Sequence, residues 1–410
     1  MPTADALVLG GGPAGLGAAL ALARGGADVM LVEEDGVAGG LCVTRERAGF
    51  RYDLGGHIPF VDGPGRREWL ERLLGGDLRW VDRPVSCVRE GRVVRGRYLD
   101  QRPETPEPPA PRDVSAAGEL GWRFGAAFVD RVMRPYLQKV DGLPLERIPD
   151  ERALRLLEDQ AAPDGFLFPA RGIGQLMDVM AAAARAEGAQ VRLGARVRTL
   201  QVPQGRMSGA LVEAADGTWE VRAEHAVVAL PPGAAARLLD PAPPGGTTRA
   251  VRMRAVCIVY LALDRERLTL EPWIQVDDPR VPFSRVFEPV NWSPALAPPG
   301  RTVIGLECYC RAEDGDPVWG LADERLGAWC AASLCDPLGW LDDPAEAALL
   351  DVVRLPRAYP EADLEQVPAV GAPALWLNGL EGVHVAPGAA VIEAIEAGER
   401  AAKAILSEVR

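Results

Sequence analysis

Short continuous apolar runs alternate along the chain with amphipathic segments, and Gly- or Pro-rich breaks separate them. Residues 6–9 are wholly apolar and stop at a glycine cluster, the mark of a strand buried on both faces. An Ala/Leu-rich segment over 14–24 predicts a helix, and 28–32 predicts a second strand. Phe50, Tyr52 and Leu54 alternate as strand residues do, and 66–74 has helical spacing. Residues 85–98 predict a hairpin turning at Glu90-Gly91. Trp122, Phe124, Phe128, Val132 and Tyr136 recur every few residues and predict helix through 114–140, with another over 151–160. The stretch Phe166-Leu-Phe-Pro-Ala-Arg-Gly-Ile-Gly174 is expected to open a helix reaching residue 188. Strands are expected at 191–193 and 195–202, then a pair over 210–220 turning at Asp216-Gly217, then a strand from His225 to Leu230. Residues 256–263 and 303–310 predict strands of a second sheet, and 322–334 a helix.

The first break carries chemistry. Gly10, Gly12 and Gly15, with Pro13 and Ala14 in the turn, form G-x-G-x-x-G between a strand and a helix. Gly10 allows the tight turn, Gly12 lets backbone approach a pyrophosphate, and Gly15 lets helix pack on strand. The helix start then offers free N–H groups and a partial positive charge to phosphates. Glu33 ends the second strand, about 20 residues on, where a carboxylate binds ribose hydroxyls. Such a pattern arises by chance in a chain with 45 glycines, but here strand, helix and acid all fall in place. The continuation Glu33-Glu34-Asp-Gly-Val-Ala-Gly39-Gly40-Leu41 adds a second glycine pair. It suits a longer dinucleotide whose ribityl chain runs on beneath close backbone, so the cofactor expected is FAD rather than NAD.

Composition narrows the picture. A chain of 410 residues has room for two domains. A net charge of -13 and a pI near 5.0 argue against nucleic acid as a partner and against an electrostatic hold on anionic lipid. No apolar run reaches about 18 residues, and the start has no basic, cleavable leader. A cytoplasmic protein with a small-molecule substrate and no stable membrane insertion is expected, its oligomeric state open. Seven cysteines without a C-x-x-C spacing read as reduced thiols, and no metal site is expected. Cys42, beside the second glycine pair, reads as a buried inert thiol rather than a redox group. Lysine is rare, with only Lys139 and Lys403. His225 most simply flanks a strand.

The combination of G-x-G-x-x-G, Glu33, Gly-Gly-Leu41 and Asp-Leu-Gly55-Gly56-His57 resembles the FAD-dependent amine oxidase superfamily, which includes protoporphyrinogen oxidase, phytoene desaturase and UDP-galactopyranose mutase. The resemblance is strongest at the two ends of the chain. It implies that Gly55, Gly56 and His57 lie at the isoalloxazine and that Val197 meets the adenine through its backbone. Pro135-Tyr-Leu-Gln-Lys139-Val resembles a lysine-bearing segment of the same relatives, and Phe283-Ser-Arg285-Val-Phe-Glu288 one seen in bacterial relatives of the mutase. In the tail, Ala374-Leu-Trp-Leu-Asn-Gly379 stands for the final strand, and Ala390 and Val391 for the start of a helix facing the flavin C2 carbonyl. The acid usual after that glycine is replaced by Leu380, with Glu381 a candidate substitute.

The fold expected is α/β, a Rossmann-type FAD-binding domain of the glutathione-reductase kind interleaved with an α+β substrate domain. The first takes 1–100, 165–245 and 350–410, and the second 101–164 and 246–349, with the proline-rich 101–113 as a linker. The activity expected is hydride removal from a small, hydrophobic or biosynthetic-intermediate substrate onto flavin N5. A mutase-like, non-redox sugar isomerase using reduced FAD is the alternative. His57, Lys139 and Arg285 are the catalytic candidates, Lys139 because a buried lysine shifts its pKa where an arginine does not. Arg252 and Arg254, with Arg285, are the cations available to a nucleotide diphosphate.

Overall fold

A computed structural model describes residues 2–61, 63–84, 86–89, 91–96, 109–161, 165–243, 251–388 and 390–409. The expected linker falls largely on 101–108, and the hairpin turn residue Glu90 on another gap, outside the described residues.

Among the described residues, eight strands form one sheet around Thr3–Leu9. Val29–Val32 and Gly217–Val228 flank it in parallel. Gln190–Arg192 extends one side, and Gly209–Ala214, Ala195–Gln201 and Leu239–Asp240 the other. Val383–Val385 pairs in parallel with the end of Gly217–Val228. Ala6, Leu7, Val8 and Leu9 are all fully buried because helices cover one face and a strand-and-loop core the other. The covering helices are Pro13–Arg24, Gly174–Ala186 and Val391–Val409. In the last, Val391, Ile392, Ile395, Ala402 and Ile405 form one apolar stripe. Its approach to the first helix is unusually close. A side chain at Gly398 would overlap the Ala14 carbonyl, and one at Gly17 the carbonyl of Ile395.

The second sheet runs Ala347–Pro360, Met253–Leu263, Thr302–Cys310, Arg285–Phe287, Trp273–Gln275, Ser86–Arg89, Arg92–Arg95. Its central strands read as unbroken apolar runs because both faces are covered. Val256, Ile258 and Tyr260 pack against the helices Ala116–Phe124, Arg134–Asp141 and Asp150–Ala161. Cys257, Val259 and Leu261 pack against Asp323–Cys335. No helix of the described residues is long and apolar enough to cross a membrane.

Several expectations shift. The hairpin within 86–95, assigned with the dinucleotide-binding segment, hydrogen-bonds into the second sheet through Trp273–Gln275. The boundary at 350 falls inside Ala347–Pro360, a strand of that same sheet. Gly165–Pro169 is a fully buried strand paired with Leu78–Asp82, and the helix starts only at Gly174. The two strands expected over 217–230 are one, Gly217–Val228. Val367–Asn378 is a helix, so residues 374–378 are not the final strand; that strand is Val383–Val385. A short apolar run without polar alternation carries no period to separate helix from strand.

Asp53 joins the two halves. Its buried carboxylate accepts from Thr44 Oγ1 at 2.5 Å and from the Ile173 N–H at 3.1 Å, and its backbone carbonyl accepts from the Tyr260 hydroxyl. Burial pushes its carboxyl up to about 7, against the opposite pull of Thr44 and Ile173. The folded chain therefore keeps a proton that the unfolded chain releases near pH 4. Stability is expected to fall by on the order of a few kcal/mol as pH rises from about 4 to about 7, then level off. Urea unfolding across that window checks this, with the slope flattened in Asp53→Asn. Gly398→Ala is expected to lose about 1–3 kcal/mol by overpacking, read from the same unfolding curves.

Candidate active site

The parallel strands Thr3–Leu9, Val29–Val32, Gly217–Val228 and Val383–Val385 share one carboxyl edge, the edge where open α/β sheets bind ligands. The glycine loop leaves Leu9 there. Gly10 has φ +96°, open only to glycine, and sits against Ala229 and Leu230. Gly12 faces open space: a Cβ built on it meets nothing within 4 Å. A side chain at Gly15 would overlap the Gly10 carbonyl. Pro13 begins the helix, no side chain caps it, and Ala14 is buried against the last helix. Its first N–H groups are thus free for an anion.

Glu33 locks onto this loop. Its Oε2 accepts from the Gly11 N–H at 2.6 Å and its Oε1 from the Asp35 N–H at 2.8 Å, which leaves lone pairs for ribose hydroxyls. Gly39 and Gly40, at φ +135° and +57°, fold back over the loop, with the Gly39 N–H donating to the Gly11 carbonyl at 2.8 Å. Ala195 N–H donates to the Glu33 carbonyl, which sets Val197 two residues beyond that contact. Glu34 instead points outward and pairs with Arg196 at 3.4 Å, and Leu41 is exposed. Cys42 is buried, and burial pushes its thiol up to about 12, so it is inert.

At the other end of the cradle the helix Val391–Val409 projects past the glycine loop. Gly398 touches Ala14, so Val391 lies seven residues, about 10 Å, beyond that contact. Ala390 precedes it with its N–H on Glu393 at 3.3 Å. Gly379 and Glu381 do not reach this place. They precede Val383–Val385 and so lie at the opposite, amino edge, where Gly379 closes the helix Val367–Asn378 and Glu381 pairs with Arg206. The acid expected near residue 380 is no part of the cradle.

Gly55, Gly56 and His57 meet the second sheet. Glu307 Oε1 accepts from the Gly56 N–H at 3.4 Å, and a side chain at Gly56 would run into the Trp273 ring. Arg285 donates from Nη1 to Glu307 Oε2 at 3.2 Å and from Nε to the Tyr136 hydroxyl at 2.8 Å. Its guanidinium lies 4.9 Å from the Trp273 ring centre and 5.5 Å from that of Tyr309. Tyr309 donates to Glu307 at 2.9 Å and stacks on Tyr359. Burial opposes the Arg285 charge, but Tyr136, Tyr309 and Glu307 outweigh it and raise its pKa. Burial lowers the His57 pKa against the pull of Glu307, and its buried Nδ1 has no partner. Glu288 accepts instead from Thr302 and the Leu268 and Thr269 backbone, as a loop anchor.

Lys139 stands apart from this group. Its ammonium donates to the carbonyls of Asp278 at 2.7 Å, Phe283 at 2.6 Å and Val276 at 3.4 Å, so its three protons are spent on tying a helix to a loop. Burial lowers its pKa to about 8. The residues that sequence reasoning missed are Glu307, Tyr136, Trp273 and Tyr309. Glu307 did leave a signal, as a lone charge inside the apolar run 303–310.

Residues 89–406 match the flavin containing amine oxidoreductase family, and residues 8–73 match an NAD(P)-binding Rossmann-like domain. The chain belongs to the flavin-containing amine oxidoreductase family. A reduced UDP-galactopyranose mutase shares its fold at a TM-score of 0.77, with 18% identity, over 99% of this chain and 96% of that one. A putative protoporphyrinogen oxidase from Exiguobacterium follows at 0.74 and 16% identity, covering 99% of each chain. A putrescine oxidase variant gives 0.73 and 20%, again over 99% of each. By sequence, residues of this chain are 35% identical to the all-trans-retinol 13,14-reductase of Danio rerio over 111 residues, 24% of this chain and 18% of that protein. The human reductase is 34% identical over 94 residues, 22% and 15% of the respective lengths. The matches therefore span less than a fifth of those reductases.

As a flavin-binding member of this family, the chain offers a glycine loop at the carboxyl edge of the first sheet and a Gly55–His57 turn against the second. Gly12→Ala is expected to keep the fold, since its Cβ meets nothing, and to weaken flavin binding by at least about tenfold. Flavin absorbance per protein and the unfolding midpoint of the flavin-free chain separate the two effects.

Proposed function

We propose that this chain is an FAD-dependent oxidoreductase that takes hydride from a C–H bond of a small, apolar substrate. The observation that carries the reading is the wall beside Gly55 and Gly56, where Trp273, Tyr309 and Tyr359 lie about the neutralised pair Arg285–Glu307, with a second neutralised pair, Arg152–Asp141, next to it. Such a surface recognises apolar or aromatic groups and leaves little free charge for a highly charged one. FAD rather than a shorter flavin is supported by two glycine pairs, a ribose acid and a helix start about 10 Å further on, a cradle as long as a dinucleotide. When bound, its isoalloxazine supplies the hydride acceptor. The start of Val391–Val409 favours negative charge near the C2 carbonyl. His57 leaves its buried Nδ1 unpartnered, and Arg285 is held rigid by Glu307, Tyr136 and the ring of Trp273. The retinol reductases, by name, act on an apolar polyene, in keeping with this substrate class.

The isomerase alternative requires free cations for a nucleotide diphosphate. Two of the three candidates are neutralised, Arg252 by Glu361 and Asp363 and Arg285 by Glu307, while Arg254 bonds only the Val140 carbonyl. That favours the redox reading.

The test starts from purified protein loaded with FAD, reduced anaerobically by dithionite or NADPH, then exposed to air. Fast reoxidation with peroxide identifies an oxidase. Slow reoxidation points to a dehydrogenase with another acceptor, and apolar donors are then screened for flavin bleaching. A protein that stays colourless with FAD overturns the proposal. So does interconversion of a nucleotide sugar by the reduced protein without net oxidation. Lys139→Met is expected to leave the rate of flavin reduction within about twofold while costing about 1–3 kcal/mol of stability, because three carbonyls lose their donor.

A further inference from the structure

Two of the protein's three histidines come together on the first sheet, beneath the end of the last helix. His225 lies on Gly217–Val228, level with Ala6 of the first strand, and His384 on the neighbouring Val383–Val385. Their rings are 5.9 Å apart, tilted by 38°. Glu408, in the last turn of Val391–Val409, reaches over them, its carboxylate 3.7 Å from His225 Nδ1. Measured along that helix, Glu408 is about 25 Å from the flavin-facing Val391.

Three features of this corner ask for a cation. His225 Nδ1 and His384 Nε2 are both buried with no hydrogen-bond partner, the state of imidazole nitrogens with a lone pair to give. Glu408 is an acid at a helix C-terminus, where the macrodipole is itself negative, and the last turn carries no basic residue to offset it. Finally, one ligand atom from each side chain lies within 4.8 Å of the other two. A divalent ion with bonds of about 2.0–2.1 Å holds its ligands somewhat closer, and Glu408, 54% exposed, has the freedom to close that difference. The exposed side of Glu408 also leaves a path for the ion and for water as a fourth ligand.

We propose that His225, His384 and Glu408 form a binding site for a divalent transition-metal ion such as zinc, which fastens the end of the C-terminal helix to the central sheet. Two imidazoles and one carboxylate suit zinc, cobalt or nickel and not magnesium or calcium. The ion is structural and is distinct from the flavin site. No motif points to it: 159 positions separate the two histidines, and the expectation of no metal site rested on spacing alone.

Zinc is the probe. The flavin-loaded full chain is stripped with a chelator and dialysed against Zn2+. The expected result is about one zinc per chain, a raised unfolding midpoint, and a zinc-edge X-ray absorption spectrum with two imidazoles and no sulfur. His225→Gln, His384→Gln and Glu408→Gln are each expected to weaken binding by at least about tenfold at unchanged flavin content, and His57→Gln to have no effect on zinc. Glu408 is exposed, so its variant folds even if a histidine variant does not. Failure of the wild type to retain zinc overturns the site. So do sulfur ligands at the edge, or a Glu408→Gln variant that binds as the wild type does.

Discussion

The structure depends on one close contact, between the first helix and the last. Gly17 and Gly398 bring Pro13–Arg24 and Val391–Val409 within backbone reach, and no side chain larger than hydrogen fits either place. The contact aligns both helix starts on the same edge of the sheet. The two ends of a chain of 410 residues thus become a single cradle. The intervening segments that do not join the first sheet build the second.

The second sheet solves a different problem, that of placing charge in an apolar interior. Glu307 is the one charged residue in the fully buried strand Thr302–Cys310, and it is held by Arg285, Tyr309 and the Gly56 N–H. Glu361 and Asp363 are similarly buried and together take up Arg252, Arg311 and Arg147. Pairs of this kind add little net stability but cost several kcal/mol when one partner is removed. Their effect is to fix geometry.

Where reading of the sequence and the structure part, the reason is local. The tail 374–379 has the composition of a strand and forms a helix, because nothing in an unbroken apolar run sets the period. Gly379 was tied to the cofactor through that strand, and once the strand moves to Val383–Val385, Gly379 falls at the wrong edge. Lys139 carries the residue type for acid–base work, yet three carbonyls surround it, and carbonyl positions in a distant loop leave no trace in residue type.

What the sequence determined by itself was the chemistry of contiguous backbone. Gly10, Gly12, Gly15 and Glu33 act through turns, N–H groups and a strand end that lie within one βαβ unit, so their spacing is their geometry. The fold class follows from the same local signals. Tertiary structure alone decided what lies opposite the flavin turn and what lies under the last helix. Glu307 meets Gly56 across 251 positions, and His225, His384 and Glu408 meet from two strands and a helix. Such groups are assembled by sheet register and helix packing, and a side chain's partners there depend on which strands become neighbours, a quantity no short stretch of sequence contains.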